Sequence, residues 1–265
     1  MLTTGFRVLT AHRALVAFPA ASAATGAVVL GALYLVLRAA VNDPLAVTPF
    51  LLFGVSYLLI MIVTTFANAA LIAQADLVLR GGYPSTGAGW RAALSRSTGV
   101  LPWALAAATV LPVLRLIEHD FRDMRSGRRG TAWADAAHLT LPKIVLERRN
   151  PIDALRDSRV ALERGWGTDM VASTRLGVVG YTVLIVTGSM VPLVGAMLGA
   201  EVEARLGLSG GGAAAGLWLG LAAFITALIF VSAATAVYQA SLYRYSVDGR
   251  TPPAFAADLT RSFQP

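Results

Sequence analysis

Four long apolar runs dominate the pattern of hydrophobic and polar positions: residues 14–37, 49–75, 176–200 and 213–238. None contains an Asp, Glu, Lys or Arg. A helix needs about 20 mostly apolar residues to cross a bilayer core of about 30 Å, and each run reaches that length. The first is closed by Arg38. The second carries Asn68 and Gln74 near its end and meets Asp76 just beyond. The last two are separated by Glu201, Glu203, Arg205 and a glycine turn at Gly210–Gly212. The flank before the first run (Arg7, Arg13) resembles the start of a signal peptide, and Ala20-Ala21-Ser22-Ala23 resembles a cleavage site. An apolar run of 24 residues exceeds the roughly 7–15 of a signal-peptide core, so an uncleaved anchor is expected.

Two weaker apolar stretches lie between the second and third runs. Residues 100–117 contain Pro102, Pro112 and Arg115, and residues 131–146 contain Asp135, His138, Pro142 and Lys143. A charge at a helix centre costs about 2.5–3.5 kcal/mol on insertion scales. These stretches are therefore expected to be re-entrant or interfacial, with full spanning as the alternative.

Arginine placement bears on this choice. With the N-terminus inside, Arg80, Arg91, Arg96, the 148–175 stretch and Arg244, Arg250 and Arg261 all fall on the inner side. A hairpin that returns to the cytoplasmic face keeps Arg122, Arg125, Arg128 and Arg129 there too, leaving Arg38 and Arg205 outside. The positive-inside bias of short loops favours that arrangement. Both arrangements put both termini in the cytoplasm.

The pattern changes at residues 150–164. Asn150 is placed to cap a helix, Pro151 suits its first position, and Asp153 sits in the first turn, where the helix dipole favours an anion. At helical spacing Ala154, Leu155, Ser158, Ala161 and Leu162 share a face with Ile152 at its edge, while Asp153, Arg156, Glu163 and Arg164 lie largely opposite. This reads as an amphipathic cytoplasmic helix stopped by Gly165. The fold expected is an all-α, polytopic transmembrane bundle forming one integral membrane domain over residues 1–265.

Composition agrees with this pattern. The chain is 56% hydrophobic and 14% charged, against about 25% charged in soluble domains. The absence of cysteine removes disulfides, thiolate metal sites and cysteine nucleophiles. The net charge of +7 comes from 21 Arg and one Lys, and reads as basic cytoplasmic loops facing anionic lipid. No nucleic-acid recognition motif accompanies it, so nucleic acid is not an expected partner.

Motifs for chemistry fail on inspection. Gly207-Leu208-Ser209-Gly210-Gly211 matches G-x-S-x-G. However, His12, His119 and His138 all precede the serine, whereas serine hydrolases with this motif place the histidine after it. The glycine-rich stretch 80–89 lacks the Gly-Lys-Ser/Thr ending of a phosphate-binding loop and reads as a loop. His119, Asp120 and Asp123, or Asp135 with His138, offer too few ligands for a metal. No catalytic, cofactor or metal site is expected. Ionisable groups within membrane segments are nevertheless functional candidates. The polar cluster singled out is Arg115, Asp135 and His138, with Asn68 and Gln74 as companions. Gly195 to Gly199 and Gly216 to Gly220 have G-x-x-x-G spacing on consecutive runs, which predicts close packing of the last two helices.

Several segments resemble a family of uncharacterised prokaryotic multi-pass membrane proteins. They include Phe6-Arg7-Val8-Leu9, Leu15-Val16-Ala17-Phe18-Pro19, the 101–110 stretch from Leu101-Pro102-Trp103 to Thr109-Val110, and Gly130-Thr131-Ala132-Trp133. The most telling is Leu141-Pro142-Lys143-Ile144-Val145-Leu146-Glu147, leading into Asn150-Pro151-Ile152-Asp153-Ala154-Leu155-Arg156-Asp157-Ser158 and then Gly165-Trp166-Gly167. The resemblance covers roughly residues 5–170 and implies a six-segment helical membrane fold without an activity. The chain departs from it at Arg148-Arg149, where a shorter glycine-containing link is expected. The functional expectation is a non-enzymatic accessory or scaffold subunit that binds membrane proteins or the lipid bilayer. The alternative is a small-solute transporter or permease component.

Overall fold

A computed structural model of the chain describes residues 2–39, 47–122, 133–166, 175–207 and 210–248. Among the described residues all regular structure is helical: α1 (Leu2–Ala11), α2 (Arg13–Ala39), α3 (Val47–Leu79), α4 (Thr86–Leu94), α5 (Ser97–Arg122), α6 (Trp133–Glu147), α7 (Pro151–Trp166), α8 (Arg175–Leu206) and α9 (Gly212–Asp248). Three segments, Arg13–Leu37, Pro49–Leu79 and Gly212–Tyr245, are long and apolar enough to cross a membrane. They contain three of the four strong runs. The fourth lies within the 32 residues of α8. The stretch 100–117 falls inside α5. The stretch 131–146 falls largely in α6, whose 15 residues reach only about 22 Å at 1.5 Å each.

Several hydroxyls within the long helices are satisfied by their own backbone. Thr65, Thr109, Thr226 and Thr235 each donate a hydroxyl hydrogen bond to the carbonyl four residues back, at 2.7–2.9 Å. Such bonds remove the cost of a bare hydroxyl in hydrocarbon. The end of α3 is set by glycine. At the end of α3, Gly81 has φ of +83°, its N–H bonds Val78 O at 2.8 Å, and the Gly82 N–H bonds Leu77 O at 2.9 Å. This is a Schellman cap. The stretch 80–89, expected to be a loop throughout, is thus a helix stop followed by α4 from Thr86. A second correction concerns α7, which runs through Gly165 to Trp166 instead of stopping at the glycine.

The chain divides into two compact units. The first comprises residues 1–21, 61–171 and 231–265. Its core contains Leu9, Leu15, Phe18, Leu71, Ile72, Val100, Leu139, Ile144 and Val145, all fully buried. α6 packs on α7, and α5 packs on both. Phe18 lies against Trp90 of α4, ring centres 6.0 Å apart, and fills the space beside Gly89. On α7, Ala154 and Ser158 of the predicted face are buried, whereas Ile152, expected at its edge, is exposed. The side chains of Ala161 and Leu162 lie outside the described residues.

The second unit comprises residues 22–60 and 172–230. It is held by close backbone approach. A Cβ placed on Gly195, Gly199, Gly212 or Gly216 would fall well inside 3.0 Å of a backbone oxygen of the facing helix: Gly195 meets Gly216, and Gly199 meets Gly212. On Gly220 it would lie 2.6 Å from Val191 O. The predicted G-x-x-x-G pairing of α8 and α9 is therefore present within the chain. Trp218 stacks on Phe53 at 6.2 Å and meets the edge of Tyr34 at 5.7 Å. Large apolar side chains point outward, with Phe50 78%, Met197 72% and Leu219 72% exposed. Soluble proteins rarely expose such continuous apolar surface, whereas a lipid-facing one does.

Candidate functional site

Two polar centres are built in the first unit. The first lies along α3. Asn68 donates from Nδ2 to Ser232 Oγ of α9 at 2.7 Å. Two turns later, Gln74 accepts the Ser85 N–H at Oε1, 2.8 Å away, pinning the residue that precedes α4 to α3. The Thr86 hydroxyl adds a 3.5 Å contact to Ala14 O. Asp76, whose side chain is 8% exposed, receives Nε of Arg244 from α9, itself 11% exposed. Its second oxygen lies 3.2 Å from Arg80 one turn on, a residue that is 59% exposed. A buried carboxylate between two guanidiniums is stable because both take part of its charge. The arrangement ties the end of α3 to the end of α9 across 168 positions of sequence.

The second centre is a cleft of about 480 Å³ lined by Thr98, Gly99 and Pro102 of α5 and by Arg148, Arg149, Asn150, Pro151 and Ile152. Its second wall is the α6–α7 link. Asn150 caps α7 as expected: its Oδ1 accepts the Ile152 N–H at 3.0 Å and its carbonyl accepts the Ala154 N–H at 2.8 Å. Arg148 has φ of +59°, in the left-handed region that glycine occupies without strain. Arg149 lies 3.7 Å from Glu147 and 3.6 Å from Asp157. Arg96 precedes α5, and burial together with the nearby charge of Arg148 pulls its guanidinium below the ordinary arginine range. Its Nε is buried without a hydrogen-bond partner among the described residues.

Of the five residues singled out in sequence, Asn68 and Gln74 are on α3 but do not share a cluster. Each serves a separate tertiary hydrogen bond. Arg115 is on α5, and Asp135 and His138 are on α6, but their side chains lie outside the described residues. His119 and Asp120, on α5, are placed the same way, and Asp123 and Ser209 lie outside altogether. Sequence reasoning missed the Asp76–Arg244 pair and the cleft. Arg80 four residues after Asp76 was a local signal for part of the first. The departure at Arg148-Arg149, charged where glycine was expected, was the signal for the second.

The three long apolar segments, the outward-facing apolar side chains and the locally satisfied hydroxyls define a helical membrane protein. Within that class, the chain belongs to the family of unknown function DUF6159, whose model matches residues 46–253. The match agrees with the resemblance to an uncharacterised family but covers different ground. It reaches through α8 and α9, while the resembling segments before residue 46 lie outside it. No curated protein and no solved structure matches the chain.

Proposed function

We propose that this protein is a non-enzymatic integral membrane protein acting as an accessory or scaffold subunit that binds partner membrane proteins or lipid. The observation that carries this reading is the use made of the polar groups of α3 and α9. Asn68 with Ser232, Gln74 with Ser85, and Asp76 with Arg244 and Arg80 each brace one part of the first unit against another. Groups closed on structural partners favour a rigid binding platform over a moving solute path. The test is purification of the tagged chain from its own membrane in a lipid-preserving system, with mass spectrometry of what remains bound. A stoichiometric membrane protein or lipid is expected. Recovery alone, or with only a small solute retained, refutes the reading.

The transporter alternative has one observation in its favour. α6 is short, carries Pro142 inside it, and bears Asp135 and His138. Interrupted helices with ionisable groups form the cargo sites of many transporters. Loss of a transport phenotype in Asp135→Asn or His138→Ala supports this alternative, and silence of both removes it.

We further propose a cytoplasmic-type (plasma) membrane location, and the arginine distribution favours both termini inside and a cytoplasmic α5–α6 hairpin. Ser126→Cys in this cysteine-free chain tests the hairpin. An impermeant thiol reagent is expected to leave it unlabelled on intact cells, and labelling there overturns the arrangement.

A further inference from the structure

We infer that the cleft between the start of α5 and the α6–α7 link binds a phosphate group, carried either by a lipid headgroup or by free phosphate. This inference stands on the cleft itself and does not depend on the scaffold reading.

The charge around the cleft is the first part of the case. Arg148 and Arg149 line it, and Arg96, two residues before the lining Thr98, feels the charge of Arg148. Arg149 has carboxylate neighbours in Glu147 and Asp157. Asp153, in the first turn of α7, is exposed and is not among the lining residues. Among the described residues, Arg96 and Arg148 have no ion pair. The buried Nε of Arg96, without an acceptor among the described residues, and the exposed guanidinium of Arg148 are donors that suit an anion.

Backbone strain is the second part. Arg148 sits at φ +59°, where glycine would sit without cost, yet the chain carries its largest cation there. Strain of this kind persists where the surrounding structure over-determines the backbone, and it clusters at places that include ligand clamps. Ligand shape is the third. Arginine presents a planar fork that matches a phosphate in two parallel hydrogen bonds, and this geometry suits a tetrahedral oxyanion better than a point charge. The first turn of α5, with Thr98 and Gly99 on the opposite wall, adds the positive end of a helix dipole. A volume of about 480 Å³ leaves room for what the phosphate is attached to.

The test uses the full chain in maltoside micelles, which contain no phosphate. Its thermal unfolding midpoint is followed against inorganic phosphate at constant ionic strength, and separately against phosphatidic acid doped into the micelles. A saturable rise in midpoint is expected with at least one probe. Arg148→Gly should weaken that response at least tenfold while leaving the ligand-free midpoint unchanged or higher, because glycine tolerates the φ at this position. Loss of binding then cannot be attributed to misfolding. Arg96→Gln should weaken it comparably. Response to inorganic phosphate as well as to lipid assigns the site to the phosphate group alone, and response to phosphatidic acid only assigns it to a headgroup. No saturable response to either probe, or an equal response in Arg148→Gly, overturns the inference.

Discussion

Removing one half of the Asp76–Arg244 pair should be far more damaging than removing both. Arg244→Met keeps most of the aliphatic stem but leaves the Asp76 carboxylate, 8% exposed, without its buried partner. Breaking a buried pair in this way typically costs 3–5 kcal/mol. Arg80 remains 3.2 Å from the second oxygen, but at 59% exposure its contribution belongs with surface pairs, about 0–1 kcal/mol. The expected loss is therefore near the lower end, about 3 kcal/mol. Asp76→Leu alone should cost a similar amount by removing the carboxylate that Arg244 Nε donates to. Asp76→Leu combined with Arg244→Met removes both charges and should cost only about 1 kcal/mol, since apolar replacement of a buried pair is often close to neutral. The assay is equilibrium unfolding in mixed micelles with increasing denaturing detergent, followed by tryptophan fluorescence, over the full double-mutant cycle. A coupling energy of at least about 2 kcal/mol is expected. Additive single effects, or single effects below about 1 kcal/mol, would refute the argument that this pair ties α3 to α9.

Three further outcomes follow from the packing. Gly216→Val should destabilise the second unit by several kcal/mol, because its side chain would run into the Gly195 carbonyl, whereas Gly54→Ala, with open space around it, should be neutral or stabilising by up to about 1 kcal/mol; paired unfolding curves check the contrast. Gly89→Ala should cost about 1–3 kcal/mol by overpacking against Phe18, and the Phe18→Leu background should recover part of that loss in the same unfolding assay. Asn150→Ala should cost about 1 kcal/mol through loss of the α7 cap, read as faster hydrogen exchange at Ile152 and the residues that follow.

Much of this protein is local and was legible in the sequence. Apolar runs long enough for a bilayer core produced long helices. Asn150-Pro151 with Asp153 produced a capped amphipathic helix with Ala154 and Ser158 of its predicted face buried. Two G-x-x-x-G spacings on neighbouring runs produced a glycine seam. In each case the deciding interactions lie within a few residues or between consecutive helices, so a residue pattern carries them. Where local reading erred, the competing effect was also local: the cap at Gly81 and Gly82 closed α3 and left room for α4, and α7 continued through Gly165.

Only the tertiary structure decided which polar residues meet. Asn68 and Gln74 looked like members of one cluster with Arg115, Asp135 and His138, because all stand in apolar surroundings. Packing instead gave each of the two its own partner, Ser232 and Ser85. The pairing of Asp76 with Arg244 joins residues 168 positions apart, and no periodicity in a single chain encodes such a contact. The same holds for the cleft. The arginines at 148 and 149 are visible in the sequence, but their facing Thr98 and Gly99 depend on how α5 lies against α6 and α7. Hydrophobic pattern determines where helices form because burial in lipid is non-directional. Hydrogen bonds and ion pairs are short-ranged and directional, so their partners are known only once the helices have packed.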